Sequence, residues 1–262
     1  MKRNVALVAM VLACLFMGTS AFAAVINPFN TRPVTVNPTP WGAYGEIDLQ
    51  AAMNMLYAGV NVNTDQKSVG MWGGSTLLAP SIAPRLYFEF AGNNASNVFG
   101  IWSGTDTSSI TSVKIFEGSA SGILNASGGS QWAGSGTSAL MTWDTTGLLT
   151  ILGGAGVNNV AGISGINPHS FGFYLETGAG AKFYSVDQLN GGNAQVLAYN
   201  PTGNDWVLAF EDTSLSNGSD ADYQDMIVKV ESLKPVPEPG TMMLLGSGLV
   251  GLAGWGRKKF RK

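Results

Sequence analysis

The body of this chain predicts an all-β fold, a β-sandwich or jelly roll with one short N-terminal helix, and three observations predict it. Short runs of β-branched and aromatic residues recur from Leu86 to Val230, separated by clusters of Gly, Ser, Asn and Thr; this is how many short strands joined by turns are written. The 35 glycines can furnish the left-handed backbone positions that such turns need. A single stretch, IDLQAAMNMLY at 47–57, has helical spacing, with Leu49, Met53 and Leu56 at i, i+4 and i+7 among good helix formers.

Taken in order, residues 24–45 carry Pro28, Pro33, Pro38 and Pro40 and read as an extended lead-in. The body spans 46–234, and its helix is expected to lay one face on a sheet. Strands are expected at 86–90, 98–102, 112–116, 139–143, 148–152, 170–175, 182–186, 195–199, 206–210 and 226–230. In DWVLAFE at 205–211, Trp206, Leu208 and Phe210 share one face while Val207 and Ala209 make the other apolar too. That strand should therefore be covered on both sides. The IVKVE run at 227–231 has one apolar side and one that ends in charge. The Gly- and Ser-rich stretch 118–137 reads as long hairpin loops. Trp72, Trp102 and Trp132 fall at equal intervals, but the residues between them do not match, so the spacing is no internal repeat.

Cys14 is the only cysteine and lies in the leader, so the mature chain has no disulfide, thiolate metal site or cysteine nucleophile. A body of this length is large enough to be stable from its own core. Its seven Lys and Arg stand against sixteen Asp and Glu, a net charge of −9. Such a surface excludes nucleic acid and anionic lipid as partners of the body and suits metal cations or a neutral or cationic polymer.

Both ends carry addresses. Lys2 and Arg3, an apolar run at 5–17 and the small-x-small triplet Ala21-Phe22-Ala23 form a secretory signal peptide over 1–23, with cleavage after Ala23 and a mature chain beginning at Ala24. The rival is lipid modification at Cys14 after Val11-Leu12-Ala13, which leaves too short a hydrophobic core and passes over the better site downstream. At the other end, 235–262, the order is Pro237-Glu238-Pro239-Gly240, then an uncharged run at 241–256, then Arg257, Lys258, Lys259, Arg261 and Lys262. Those sixteen residues are fewer than the roughly 20 of a spanning helix, and their glycines weaken a helix further. The tail is thus expected to be a short hydrophobic helix, a transient inner-membrane anchor whose basic end faces the cytoplasm. It resembles the PEP-CTERM sorting tail of bacteria that secrete an extracellular polymer. The resemblance implies processing by the membrane protease exosortase and delivery to the cell envelope, surface or extracellular matrix.

Little in the body points to catalysis. His169, the only histidine, stands in a turn before a strand, with no Gly-x-Ser-x-Gly elbow to build a triad on. Exposed tryptophans would stack on sugars, whereas core tryptophans would only pack. The informative constellation is the segment 210–225, where Glu211, Asp212, Asp220, Asp222 and Asp225 crowd five carboxylates between two apolar strands around Asn217-Gly218. Unneutralised, they repel one another. A hard cation taking oxygen ligands removes the repulsion, and Ca2+ accepts six to eight of them, backbone carbonyls near Asn217 and Gly218 included. The spacing is not that of an EF-hand, since counting from Asp220 the sixth position holds Asp225 where that loop needs glycine; a solvated acidic loop is the plainer alternative. From 170 to 231, the order FGFYLE, FYSVDQLN, WVLAFED and DADYQDMIVKVE resembles a domain of unknown function common in PEP-CTERM and other bacterial surface proteins. That resemblance supports the fold and the acidic hairpin and brings no activity. The expectation is a secreted, non-enzymatic surface or matrix protein; the alternative is a carbohydrate-binding module for extracellular polysaccharide.

Overall fold

The computed structural model describes residues 24–38, 47–74, 80–89, 96–117, 137–154 and 156–236, with Ser247. The one α-helix among them, α1 (Leu49–Leu56), is opened by Asp48, whose carboxylate accepts a hydrogen bond from the Ala51 N–H at 2.6 Å. It ends at Tyr57, followed by Gly59 at φ +91°, a conformation that costs glycine little. Leu49, Ala52 and Met53 are buried and Leu56 partly so. The expected apolar stripe is present, with Ala52 added to it where the helix meets the sheet.

Thirteen strands follow: β1 (Trp72–Gly74), β2 (Ser81–Glu89), β3 (Val98–Ser103), β4 (Thr111–Glu117), β5 (Ala139–Trp143), β6 (Leu149–Gly153), β7 (Val160–Ile163), β8 (Gly172–Glu176), β9 (Lys182–Tyr184), β10 (Val196–Tyr199), β11 (Asp205–Phe210), β12 (Met226–Glu231) and β13 (Leu233–Pro235). They pair antiparallel into a seven-stranded sheet, β10-β11-β12-β2-β5-β6-β7, a four-stranded sheet, β4-β3-β8-β9, and a short β1-β13 ribbon. The predicted strands are all found, within a few residues at their ends and with β2 reaching back to Ser81. β1, β7 and β13 were not expected. Trp72-Gly73-Gly74, an edge strand holding Gly162 at φ +74° and a segment ending in Pro235 do not show strand periodicity, and register with neighbours decides them.

The sandwich core lies between the two large sheets. Phe99 and Phe173 from the four-stranded sheet stack with ring centroids 5.3 Å apart, and Phe99 meets Phe210 of β11 edge-on at 5.8 Å. Trp206, Leu208 and Phe210 all face this core. Val207 and Ala209 point the other way, into a second core with Leu49, Met53, Val36 and Ile227 beneath α1. The strand covered on both faces is thus β11, and α1 is its outer cover.

The extended lead-in is built into the body. Arg32 sends both terminal nitrogens to the Asp187 carboxylate, at 2.6 and 2.8 Å, and one of them also donates to the Val196 carbonyl. Buried Asn30 donates to the Ser185 carbonyl, and Val36 enters the core under α1. No helix among the described residues is long and apolar enough to cross a membrane. The signal peptide, including Ala21 and Ala23, the low-complexity stretch 118–136 and the tail from Pro237 onward, apart from Ser247, lie outside the described residues.

Candidate metal centre

The acidic residues expected to act together are placed by the β11–β12 hairpin. β11 and β12 pair from Asp205↔Glu231 to Phe210↔Met226, so Glu211 leaves one strand beside the point where Asp225 enters the next. Between them the chain makes a short 3-10 turn, Leu215–Asn217, which Gly218 closes at φ +90°. It then passes through two left-handed residues, Ala221 at φ +60° and Tyr223 at φ +57°. Left-handed backbone at a residue with a Cβ costs about 1–2 kcal/mol. Two anchors hold it there: Tyr223 is buried in the core under α1, and Asn37 of the lead-in donates its backbone N–H to the Ala221 carbonyl at 3.0 Å and its Nδ2 to the Asp220 carbonyl at 2.6 Å.

Asp220 and Asp222 were expected to point the same way by strand alternation. They do serve one cluster, but the left-handed step at Ala221 produces it, because the segment is not a strand. Oxygens of Glu211, Asp220 and Asp222 lie within 4.8 Å of one another, and so do oxygens of Glu211, Asp212 and Asp225. All five predicted carboxylates are therefore brought together, in two triads that share Glu211. Asn217 and Gly218, expected to lend carbonyls, sit at the exposed tip of the turn.

Glu211 and Asp222 are each only 2% exposed. Burial pushes the Glu211 carboxyl up to about 7; its contact with Asp225 offsets part of this, and the charges of Asp220 and Asp222 add to it. Asp225 is raised well above the ordinary carboxylate range, first by burial and then by the charges of Glu211 and Asp212. Charge of one sign gathered away from water is the physical cause in both cases. Local donors satisfy part of the need: the Asp212 N–H bonds Asp225 Oδ2 at 2.7 Å, and Gln224 Nε2 bonds Asp222 Oδ2 at 2.9 Å.

Two residues that the sequence did not single out belong to the site. Gln195, 1% exposed, accepts the Leu215 N–H at 2.7 Å and donates to the Thr213 carbonyl at 2.9 Å, pinning the loop from beneath. Asn97, fully buried at the start of β3, donates Nδ2 to Asp212 Oδ2 at 3.1 Å, while its Oδ1 is a buried acceptor with no hydrogen-bond donor. An orphaned amide oxygen on the residue that bonds Asp212 adds a buried, unpaired oxygen to the edge of the acidic cluster, and oxygen ligands of this kind suit a hard cation. Asn97 lies 115 residues from Asp212, and no local pattern marks it.

Other expected features have a plainer place. Trp72, Trp102, Trp143 and Trp206 are buried, so none of them is a stacking platform for sugar. His169 is exposed in the turn before β8, its N–H bonded to Asn167 Oδ1 at 2.9 Å.

Residues 158–233 match the Domain of unknown function (DUF4114), a span from just before β7 to the start of β13 that contains the whole acidic loop. Residues 235–258 match the PEP-CTERM protein-sorting motif. No curated protein and no solved structure matches the chain. The sorting motif begins on the last residue of β13, so the sandwich is the cargo that it addresses. The chain thus carries a PEP-CTERM sorting motif, a signal for export to the cell envelope or surface, behind a body segment that matches DUF4114.

Proposed function

We propose that the protein is a non-enzymatic component of the cell surface or extracellular matrix, a β-sandwich released or retained through exosortase processing of its tail and stiffened by Ca2+ at the acidic loop. The observation that carries the calcium part is the pairing of five gathered carboxylates with the orphaned Asn97 Oδ1. Oxygen-only donors suit a hard cation. Neutralising them removes the repulsion that adds to burial in raising Glu211 and Asp225, and locks β11 to β12. Before processing, the hydrophobic tail holds the chain at the inner membrane with the sandwich outside.

Two experiments test this. In the native host, deleting the exosortase should leave full-length protein in the inner membrane; unchanged loss of the tail would sink the sorting role. Thermal melts of the exported protein should rise with Ca2+ and fall back with chelator. At 100 times the dissociation constant the gain is about 2.7 kcal/mol, a large share of an ordinary domain's stability. Identical melts would leave the five carboxylates as a solvated loop.

A second reading, polysaccharide binding, is favoured by one feature. An open groove of about 670 Å³ runs between Phe29 and Val34 of the lead-in and Leu215 and Tyr223 of the acidic hairpin, with Asn193 beside it. Affinity electrophoresis in the host's own polysaccharide, with Phe29→Ala as control, separates a binding module from a spacer: only the former is retarded in a Phe29-dependent way.

A further inference from the structure

Two separate triads that share one carboxylate raise the question of how many cations the loop takes. Ca2+ binds oxygens at 2.3–2.6 Å, so two oxygens on the same ion stand at most about 5 Å apart. Each triad, Glu211 with Asp220 and Asp222, or Glu211 with Asp212 and Asp225, meets that limit at 4.8 Å, whereas the five residues do not fall into one set at that distance. One ion placed in either triad therefore leaves two carboxylates of the other without it.

We propose that the acidic loop holds two calcium ions bridged by the Glu211 carboxylate, an inner ion with Asp212, Asp225 and Asn97 Oδ1 and an outer ion with Asp220 and Asp222. This rests on the calcium reading above and goes beyond it in number and arrangement.

Charge supports the pair. Five ionised carboxylates carry −5; one divalent ion leaves −3 around a nearly buried glutamate, and two leave −1. A carboxylate has two oxygens and can serve one ion with each. Glu211 is the one member common to both triads, and it is held at the hinge of the hairpin by its N–H bond to the Gln195 carbonyl at 3.1 Å.

The two positions differ in their surroundings. On the inner side Asp225 is half-buried and Asn97 fully buried, and Asn97 is held beside Asp212 by its Nδ2. Its oxygen is the acceptor that lacks a donor. On the outer side Asp222 is buried but Asp220 is exposed, and the backbone carrying them is fixed by Asn37 of the lead-in rather than by the strands. The inner ion is accordingly the tighter and slower to exchange, and the outer ion reports whether the lead-in is docked.

Isothermal titration of Ca2+ into chelator-stripped exported protein, with native mass spectrometry of the same samples, counts the ions. Two per chain is the expected result, with the second at least tenfold weaker. One per chain overturns the two-ion arrangement and leaves the calcium reading standing; none overturns both. The exposed position gives a variant that does not endanger folding: Asp220→Asn should weaken the second ion at least tenfold and leave the first within about twofold. Asn97→Asp should hold or strengthen the first. If Asp220→Asn weakens both ions equally, Glu211 does not join two separate sites and the arrangement is wrong.

Discussion

Asn97 Nδ2 and Asp212 Oδ2, 3.1 Å apart, join the two sheets of the sandwich at the acidic end. Asn97 opens β3 of the four-stranded sheet and Asp212 follows β11 of the seven-stranded one. A cation held here would fasten the layers as well as the hairpin. Asn97→Ala removes the bond, the orphaned oxygen and a candidate ligand together. It should weaken Ca2+ at least tenfold in calorimetric titration, whereas Asn97→Asp, which keeps an oxygen there, should not. Equal affinity in Asn97→Ala and the parent would mean that the amide only spaces the sheets.

Proton linkage gives an independent check on the same carboxylates. Glu211 has its pKa raised in the folded state to about 7, by burial first. An acid so raised contributes stability while it stays protonated. That contribution is full below its unfolded value and is lost as pH rises through the folded one. Chelated protein should therefore melt at a lower temperature at pH 8 than at pH 5, and saturating Ca2+, which binds the ionised form, should shrink or reverse the difference. A chelated protein whose stability does not fall across this range would show that Glu211 is not buried as described. Glu211→Gln, neutral at every pH, should make the chelated profile shallower, leaving only what Asp225 contributes.

Much of this was legible in the residues. The alternation at 205–211 announced a strand buried on both faces, because period two separates Trp206, Leu208 and Phe210 from Val207 and Ala209 whatever covers them. The five carboxylates were visible because they are close in sequence. What the sequence hid has one cause: it depends on contacts between distant segments. Asn97, Gln195 and Asn37 reach the loop from three separate elements. β7 and β13 are strands only because β6 and β1 lie beside them. The direction of Asp222 depends on left-handed steps at Ala221 and Tyr223 that neither residue type would suggest.

The four-stranded sheet has a position where only glycine fits. A Cβ on Gly172 would stand 2.5 Å from Trp102 ring atoms and 2.6 Å from Ser185 Oγ. Neither neighbour can yield freely: Trp102 is fully buried with its indole N–H on the Phe173 carbonyl at 3.0 Å, and Ser185 Oγ both donates to the Gly70 carbonyl at 2.6 Å and accepts from the Phe173 N–H at 3.0 Å. Overpacking of this kind costs about 1–3 kcal/mol. Gly172→Ala should lower the urea midpoint accordingly while leaving Ca2+ affinity unchanged, since the acidic loop lies elsewhere. A neutral substitution would show that the sheet can shift to admit a methyl group.

The lead-in offers the sharpest test of how the parts depend on one another. The Arg32 side chain is 1% exposed and its Asp187 partner 14%, so the guanidinium is desolvated and depends on that carboxylate for its counter-charge. Removing the partner from a buried pair leaves an uncompensated charge and costs about 3–5 kcal/mol. Asp187→Ala should therefore release the lead-in by making Arg32 leave for water, even where the sandwich stays folded. The lead-in carries Asn37, which clamps the Asp220 and Ala221 carbonyls. Its release should thus loosen the acidic loop, the candidate Ca2+ site, which Asp187 never touches. Two measurements follow: hydrogen exchange should show faster opening of 24–38 and of 219–224 together, and limited proteolysis should cut within the lead-in. Exchange that quickens in the lead-in alone would separate the two segments and leave Asn37 as a surface contact.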